Sequence, residues 1–320
     1  MKDILVSGLT IIRNGVKLDY PFTEAILSAL PICDEFVVVA GDSDDGTLDR
    51  LEQLDDPRIR VIKTRWSPHV VPRMGLLAQQ TNIGLGLCSG RWCLYLQSNE
   101  VLHEDSLPRL RRLMETHVEN ADVEAFLLER LTFWSDYDHY VPIYPRRFKY
   151  TARIIRTSIG AYSIRDAMSF AVFDGFSTRG RYPRSMDSGV DLYRYGYVHS
   201  VMQQAAKFES AVHKASADET AGGDYYLQHY PRQFIARFEG SHPAVMAGRI
   251  AAYPEADKLD ITLCRSRPSL RERKRLLESY LYSRWGLPRW SRNRFKLLGD
   301  LQKKPRPAIG PVKGALSTYR

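Results

Sequence analysis

The chain has 320 residues and a formal net charge of +9 at pH 7, long enough to bury one large core or two modest ones. Its longest apolar runs fall far short of a bilayer span and Met1-Lys2-Asp3 leads straight into a strand-like segment, so neither a transmembrane helix nor a signal peptide is expected. Cys33, Cys88, Cys93 and Cys264 contain no CxxC pair and sit mostly in apolar contexts, which reads as reduced core thiols in a cytoplasmic protein.

The charge is unevenly spread. Residues 256 to 320 hold 17 Lys and Arg against 5 Asp and Glu, a surplus of +12 that leaves the first 255 residues at −3. The basicity therefore belongs to a C-terminal appendage. That appendage carries no recognised nucleic-acid module and the body is net acidic, so no nucleic-acid partner is expected.

In chain order, Ile4 to Ile12 is a strand broken by Gly8 and closed by the turn Arg13-Asn14-Gly15. Asp19 then caps a helix with Pro21 in its first turn and Phe22, Ile26, Ala29 and Leu30 on one face. Phe36 to Val39 is a buried strand, Gly41 to Thr47 a polar loop, and Leu48, Leu51 and Leu54 begin a helical stripe. Ile59 to Ile62 forms a third strand, and Leu76, Ile83 and Leu87 mark a helix between Arg73 and Leu87. Such alternation predicts an α/β fold with a doubly wound, mostly parallel sheet.

Trp92 to Leu96 is the fourth strand, apolar enough to be buried on both faces. A polar cluster follows it: Gln97, Asn99 and Glu100, then His103, Glu104 and Asp105. Ligands of open α/β sheets bind outside the carboxyl ends of the strands. Side-chain oxygens there can hold a hard divalent cation and, through it, a phosphate; the alternative is a polar loop that caps the next helix.

The order of three segments carries a resemblance. "SGLTIIRNG", "CDEFVVVAGDSDDGT" and "QQTNIGLGLCSGRWCLYLQSNE" resemble the nucleotide-sugar half of family 2 glycosyltransferases of the GT-A fold, which read "DEIVVVDSGSTDGT" and "ARNxGLxxAxGDWVLFLDADE" in the same order. The match covers residues 4 to 105 and continues more loosely to about residue 250, where "RIIRT", "IRDAMSF", "YRYGYVHS" and "GSHPAVMAGRI" resemble a bacterial subgroup. It implies a domain over 1–255, with a nucleotide-sugar half at 1–105 and an acceptor half at 106–255, followed by the basic extension 256–320.

By position, the resemblance assigns Thr10, Arg13 and Asn14, then Ser43, Asp45, Gly46 and Thr47, to the nucleotide. Ala40 stands where the family has its first Asp, and Asp42 where it has Gly, so base contacts can shift to Asp42. Read without the resemblance, Asp-Asp-Gly-Thr is a turn and helix cap. The family's metal-binding Asp-x-Asp falls on Gln97-Ser98-Asn99, a variant that keeps amide oxygens and loses both charges. Glu100 or His103 can then serve as ligand beside Asn99. Three expectations follow: weak use of Mn²⁺ or Mg²⁺, metal-free stabilisation of the leaving group by basic side chains, or lost catalysis.

In the acceptor half, Asp166 aligns with the segment expected to hold the general base, with Asp187 and Asp191 as alternatives. Phe133, Trp134, Tyr137, Tyr140 and Tyr144 can stack on sugar rings, or can simply pack. Arg146, Arg147, Arg153 and Arg156 can meet the diphosphate or an anionic acceptor. His199 is a late candidate for a metal or phosphate contact, while Arg194 occupies the place of the more usual family His.

In the extension, Ser269 and Glu272 form a capping box for a helix with Leu270, Leu277, Leu281 and Trp285 in a stripe, and 286–320 reads as partly disordered. This basic amphipathic helix suits an anionic membrane surface, or an ordinary packed helix with a solvated face. The resulting expectation is an inverting glycosyltransferase at the cytoplasmic membrane face that uses a nucleotide-diphospho-sugar and a glycan or lipid-linked acceptor in surface polysaccharide or glycolipid synthesis. The alternative is a non-catalytic protein of the same fold that binds nucleotide sugar or glycan.

Overall fold

The computed structural model describes residues 4–66, 75–142, 149–173, 175, 180–198, 230–285 and 295–301. In chain order the first half comprises β1 (Val6–Ile12), α1 (Phe22–Ala29), β2 (Glu35–Gly41), α2 (Thr47–Glu52), β3 (Ile59–Thr64), α3 (Leu76–Leu85), β4 (Trp92–Tyr95), β5 (Glu100–Leu102) and α4 (Leu107–Thr116). The second half adds β6 (Ala125–Thr132), β7 (His139–Tyr140), β8 (Tyr150–Arg156), β9 (Ala161–Ile164), β10 (Ser169–Val172) and β11 (Arg184–Arg194). After these come β12 (Ala236–Arg237), α5 (Ala247–Ala251), α6 (Leu270–Trp285) and β13 (Lys296–Leu298).

The main sheet runs β13-β11-β6-β8-β4-β1-β2-β3, and β5 pairs with β11 off this path. Pairing is parallel among β4, β1, β2 and β3 and among β6, β11 and β13. Only β8 and β5 run against their neighbours. The expected α/β class and mostly parallel sheet are therefore what the chain adopts. Because β8 is inserted antiparallel between β4 and β6, β4, β6 and β11 all point their carboxyl ends the same way.

Every residue of β1, β2 and β4 is buried, as a sheet covered on both faces requires. Alternate β1 residues divide between two cores: Val6 and Ile12 join Phe22, Ile26, Trp92 and Phe126, whereas Leu9 and Ile11 join Val39, Leu76, Tyr95 and Phe170. Helix α3 presses so closely on β1 that a β-carbon on Gly84 would lie 2.2 Å from Leu9 Cδ1. That approach turns Ile83, expected on the inner face, outward to solvent. Asp19 is likewise no helix cap: its backbone is left-handed at φ 48°, and its carboxylate pairs with Arg249 at 2.6 Å.

Described residues beyond 256 pack against the body. Leu259, Cys264 and Leu276 pack with Trp134, Val141, Phe234 and Ile235, and β13 adds a parallel edge strand to β11. The capping box is present, with Ser269 N–H donating to Glu272 Oε2 at 2.7 Å and Glu272 N–H to Ser269 Oγ at 3.4 Å. Among the described side chains of α6 Leu276 is buried, while Leu270 and Leu277 are 81% and 53% exposed. Among the described residues no helix is long and apolar enough to cross a membrane. The four cysteines are free thiols, three of them buried.

Candidate functional site

The crevice is built first from the loops after β1 and β2, which are laced together. Ser43 Oγ accepts from Asn14 N–H at 3.0 Å, Asn14 Oδ1 from Asp44 N–H at 3.2 Å, and Asp45 Oδ2 from Lys17 N–H at 2.6 Å. Thr47 Oγ1 accepts from Gly15 N–H at 2.8 Å while Asp45 Oδ1 takes the Thr47 N–H at 3.1 Å. Gly46 permits this turn with φ 79°, a conformation that other residues adopt at a cost. Asp45 and Thr47 thus tie the two loops together. Asp42 is solvent-exposed on the rim, ion-paired with Arg13 at 3.4 Å and accepting from Trp66 N–H at 3.2 Å.

At the end of β4 the chain turns tightly, with Glu100 N–H donating to Gln97 O at 2.9 Å. The Glu100 side chain folds under the turn, fully buried. Its Oε2 accepts from Arg153 Nε at 2.7 Å and from Gln97 N–H at 3.0 Å, and its Oε1 from Arg153 Nη2 at 2.9 Å and Arg130 Nε at 3.2 Å. Burial by itself would raise this carboxyl, but Arg153, Arg130 and the Gln97 N–H outweigh it and hold it down at about 2. Burial lowers Arg130 to about 10, with Arg153 and Arg194 pushing the same way and Glu100 opposing. Arg153 also lies 5.0 Å from the Tyr95 ring centre.

The third wall is the β9–β10 hairpin, whose tip carries Arg165 and Ala167 in left-handed conformations at φ 59° and 49°. Each costs about 1–2 kcal/mol for a residue with a β-carbon, and both are held by tertiary ties. Asn82 on α3 clamps the hairpin through Ser163 N–H to Oδ1 at 2.7 Å and Nδ2 to Ser163 O at 3.1 Å. Gln97 Nε2 reaches Ala167 O at 3.5 Å. Asp166 is thereby delivered to the carboxyl end of β4. Burial raises its carboxyl above the usual range, with Arg194 opposing. Tyr20 and Tyr95 lie within its field.

Several assigned residues lie elsewhere. Thr10 is buried inside β1, its Oγ1 without a hydrogen-bond partner. Arg156 pairs in register with Trp92, the first residue of β4, and so lies at the opposite end of the sheet. There it stacks 4.3 Å from the Trp92 ring centre and donates to the carbonyls of His117, Val118, Asn120 and Val123. Asp187 and Asp191 sit within β11 opposite Leu127 and Glu129 of β6, short of the strand's end. Phe133, Trp134, Tyr137 and Tyr140 are core residues; Phe133 stacks on Tyr195 at 4.8 Å. Ser98 is buried in the β4 turn. Tyr144, Arg146, Arg147 and His199 lie outside the described residues.

A divalent cation at this strand end needs anionic oxygens, and the described residues of the β4 turn offer no set of them. Glu100 is committed to two guanidinium groups. His103 has been carried past β5, where its Nδ1 accepts from Asp105 N–H at 3.3 Å and its Nε2 lies 3.0 Å from Ser241 Oγ. Asn99 Oδ1 is a neutral oxygen buried without a hydrogen-bond partner, and Asp166, the carboxylate brought to this strand end by the hairpin, has its ionised form disfavoured by burial. Among the described residues no group of three or more His, Cys, Asp or Glu could hold a metal ion. Glu100 and His103, the ligands the resemblance implied, thus have other hydrogen-bond partners in this structure.

Three residues of the site were missed as such by sequence reasoning: Arg130, Asn82 and Arg194. Asn82 lay within the quoted "TNIGLG", and Arg194 was visible as the replacement of the family His. Arg130 had no local signal.

No family model matches the sequence, and no curated protein matches it. Among solved structures the chain overlaps S. aureus TarS 1-349 in complex with UDP, at 18% identity over 48% of this chain and 47% of that one, with a TM-score of 0.34. The same protein in complex with UDP-GlcNAc gives 16% identity, 51% and 49% coverage and a TM-score of 0.36. Glucosyl-3-phosphoglycerate synthase from Mycobacterium tuberculosis, in complex with Mn²⁺, UDP and glucosyl-3-phosphoglycerate, gives 18%, 40%, 44% and 0.30. The chain spans less than half the length of each of these chains.

Proposed function

We propose that the protein is a glycosyltransferase of GT-A type that moves a sugar from a nucleotide-diphospho-sugar to an acceptor hydroxyl with inversion. The observation that carries this reading is the arrival of Asp166, a carboxylate raised by burial, at the strand ends where the laced β1 and β2 loops open. Asp166 takes the proton of the acceptor hydroxyl; the acceptor oxygen bonds to the anomeric carbon as the bond from that carbon to the phosphate oxygen breaks, and the nucleoside diphosphate leaves with the electron pair. Arg13, Asn14, Asp42 and Ser43 form the nucleotide edge.

Titration with UDP-, GDP- and dTDP-sugars is expected to give saturable binding for at least one, read as a rise in melting temperature by mass action. Absence of binding at millimolar concentration for all three, with and without Mn²⁺, rejects the site. The amides at Gln97 and Asn99, where the resembled family carries acids, favour one second reading, a binder without catalysis. Saturable binding with no nucleoside diphosphate released across a panel of glycan and lipid-linked acceptors selects it.

The exposed face of α6 supports a peripheral place on an anionic membrane, and with it an acceptor in surface polysaccharide or glycolipid synthesis. Leu270 and Leu277 lie outward beside exposed Arg271, Arg273 and Lys274, the pairing of apolar and cationic groups that anionic lipid attracts. Co-sedimentation with liposomes is expected to rise with phosphatidylglycerol content and to fall with salt, since screening sets in over about 10 Å at 0.1 M. Leu270→Glu with Leu277→Glu tests this without removing Leu276 from the core. Equal sedimentation of that variant and wild type rejects the surface.

A further inference from the structure

We infer that Arg194, with Arg130 behind it, does the work of a metal ion in this site by holding the diphosphate of the donor. This rests on the donor reading above and names the group that meets the leaving charge.

The sign of the charge at the β4 end is the first ground. Glu100 is shared between two guanidiniums, Arg153 and Arg130; Asp166 at the hairpin tip is a second carboxylate whose ionised form burial disfavours; and the flanking Gln97 and Asn99 carry no charge. A third guanidinium, Arg194, is close enough to push Arg130 down. The inventory therefore favours an anion and opposes a divalent cation. Of the arginines expected to meet the diphosphate, Arg156 lies at the far end of the sheet, while Arg153 is buried beneath the turn and gives Nε and Nη2 to Glu100.

Position is the second ground. Arg194 is the last residue of β11, opposite Glu100 of β5 and Thr132 of β6, so strand pairing fixes its backbone beside the β4 turn. Its guanidinium lies 4.7 Å from the Tyr197 ring centre. A β-carbon on Gly196 would lie 3.7 Å from Arg194 Cζ and 2.4 Å from Asn99 Nδ2, so this glycine lets the guanidinium and the Asn99 amide come together over the chain. The same guanidinium acts on Asp166 and Tyr20. Strand pairing and the Gly196 approach thus set this guanidinium beside the Asn99 amide of the β4 turn, within electrostatic range of Asp166. Arginine suits the task because its planar fork gives two parallel hydrogen bonds to a phosphate and keeps its charge at any working pH.

The test is calorimetric titration of wild type, Arg194→Gln and Arg194→Lys with UDP, GDP and the matching nucleosides, in excess EDTA and again with Mn²⁺. Wild type is expected to bind a nucleoside diphosphate equally, within about twofold, in both conditions. Arg194→Gln is expected to lose at least thirtyfold in diphosphate affinity while nucleoside affinity changes less than threefold, and Arg194→Lys to fall between. Loss of wild-type binding in EDTA overturns the inference and leaves the donor reading standing, as does undiminished diphosphate binding by Arg194→Gln. If Arg194→Gln does not fold, the EDTA comparison on wild type and the lysine variant decide. Failure of wild type to bind any nucleoside diphosphate in either condition overturns the donor reading itself, and this inference with it.

Discussion

Replacing Asp166 by Asn is expected to lower kcat by about 10²–10⁴-fold, the usual contribution of a positioned general base, with little change in nucleotide affinity. The hairpin tip would keep its shape, because the ties that hold it run through Asn82 to the Ser163 backbone and through Gln97 to the Ala167 carbonyl. Burial raises the Asp166 carboxyl, so its ionised form is the one that folding disfavours. Asn removes that charge, and the melting temperature at neutral pH is expected to be unchanged or higher. A raised pKa also places the acid limb of kcat/KM above the ordinary aspartate value, with activity gained as pH rises through it. Transfer by Asp166→Asn at the wild-type rate, or collapse of its fold, removes Asp166 from the role of base.

Glu100→Gln is expected to show the largest loss of stability. The carboxylate is fully buried and holds Arg153 and Arg130 together. Its loss leaves two buried guanidiniums without their counter-charge, a change that costs about 3–5 kcal/mol. The contrast is Glu119→Gln, which breaks a pair with Arg91 whose carboxylate side is 81% exposed; exposed pairs contribute about 0–1 kcal/mol. The pH dependence has a definite sign. Glu100 is lowered from 4.5 to about 2, so its contribution is complete above pH 4.5 and is lost as pH falls toward 2. At about 1.4 kcal/mol for each unit the linked stability is of order 3 kcal/mol. Urea melts between pH 6 and pH 2 are expected to show a shallower decline for Glu100→Gln than for wild type. Parallel declines would show that the triad carries no such linkage.

The first four strands, the three helices between them and the capping box at Ser269 were legible in the sequence because they depend on neighbours a few residues away. Apolar periodicity, glycine turns and capping oxygens act within one or two turns of chain. The laced β1 and β2 loops were legible as a motif, though not as a structure. Asp45 and Thr47 read as nucleotide contacts through the resemblance and as a turn and helix cap without it, and in the structure they accept from backbone N–H groups. The aromatic run from Phe133 to Tyr140 had the composition of a sugar platform and became core, because β6, β7 and β11 close around it.

What only the tertiary structure decided was the placing of charge. Glu100 looked like a metal ligand from its position after β4, and nothing nearby in sequence revealed Arg130 and Arg153, which stand 30 and 53 residues further along. Arg153 and Arg156 are three residues apart and appeared interchangeable. Along a strand, three residues span about 10 Å and reverse the face, and β8 runs antiparallel to β4, so one arginine is held beneath the site while the other is carried to the opposite end. The β9–β10 tip met Gln97, through the Ala167 carbonyl, because an α3 asparagine pins the hairpin across the strand ends. Local periodicity thus determined which segments became strands and helices, whereas strand direction and long-range pairing decided which charges face the crevice and which neutralise one another beneath it.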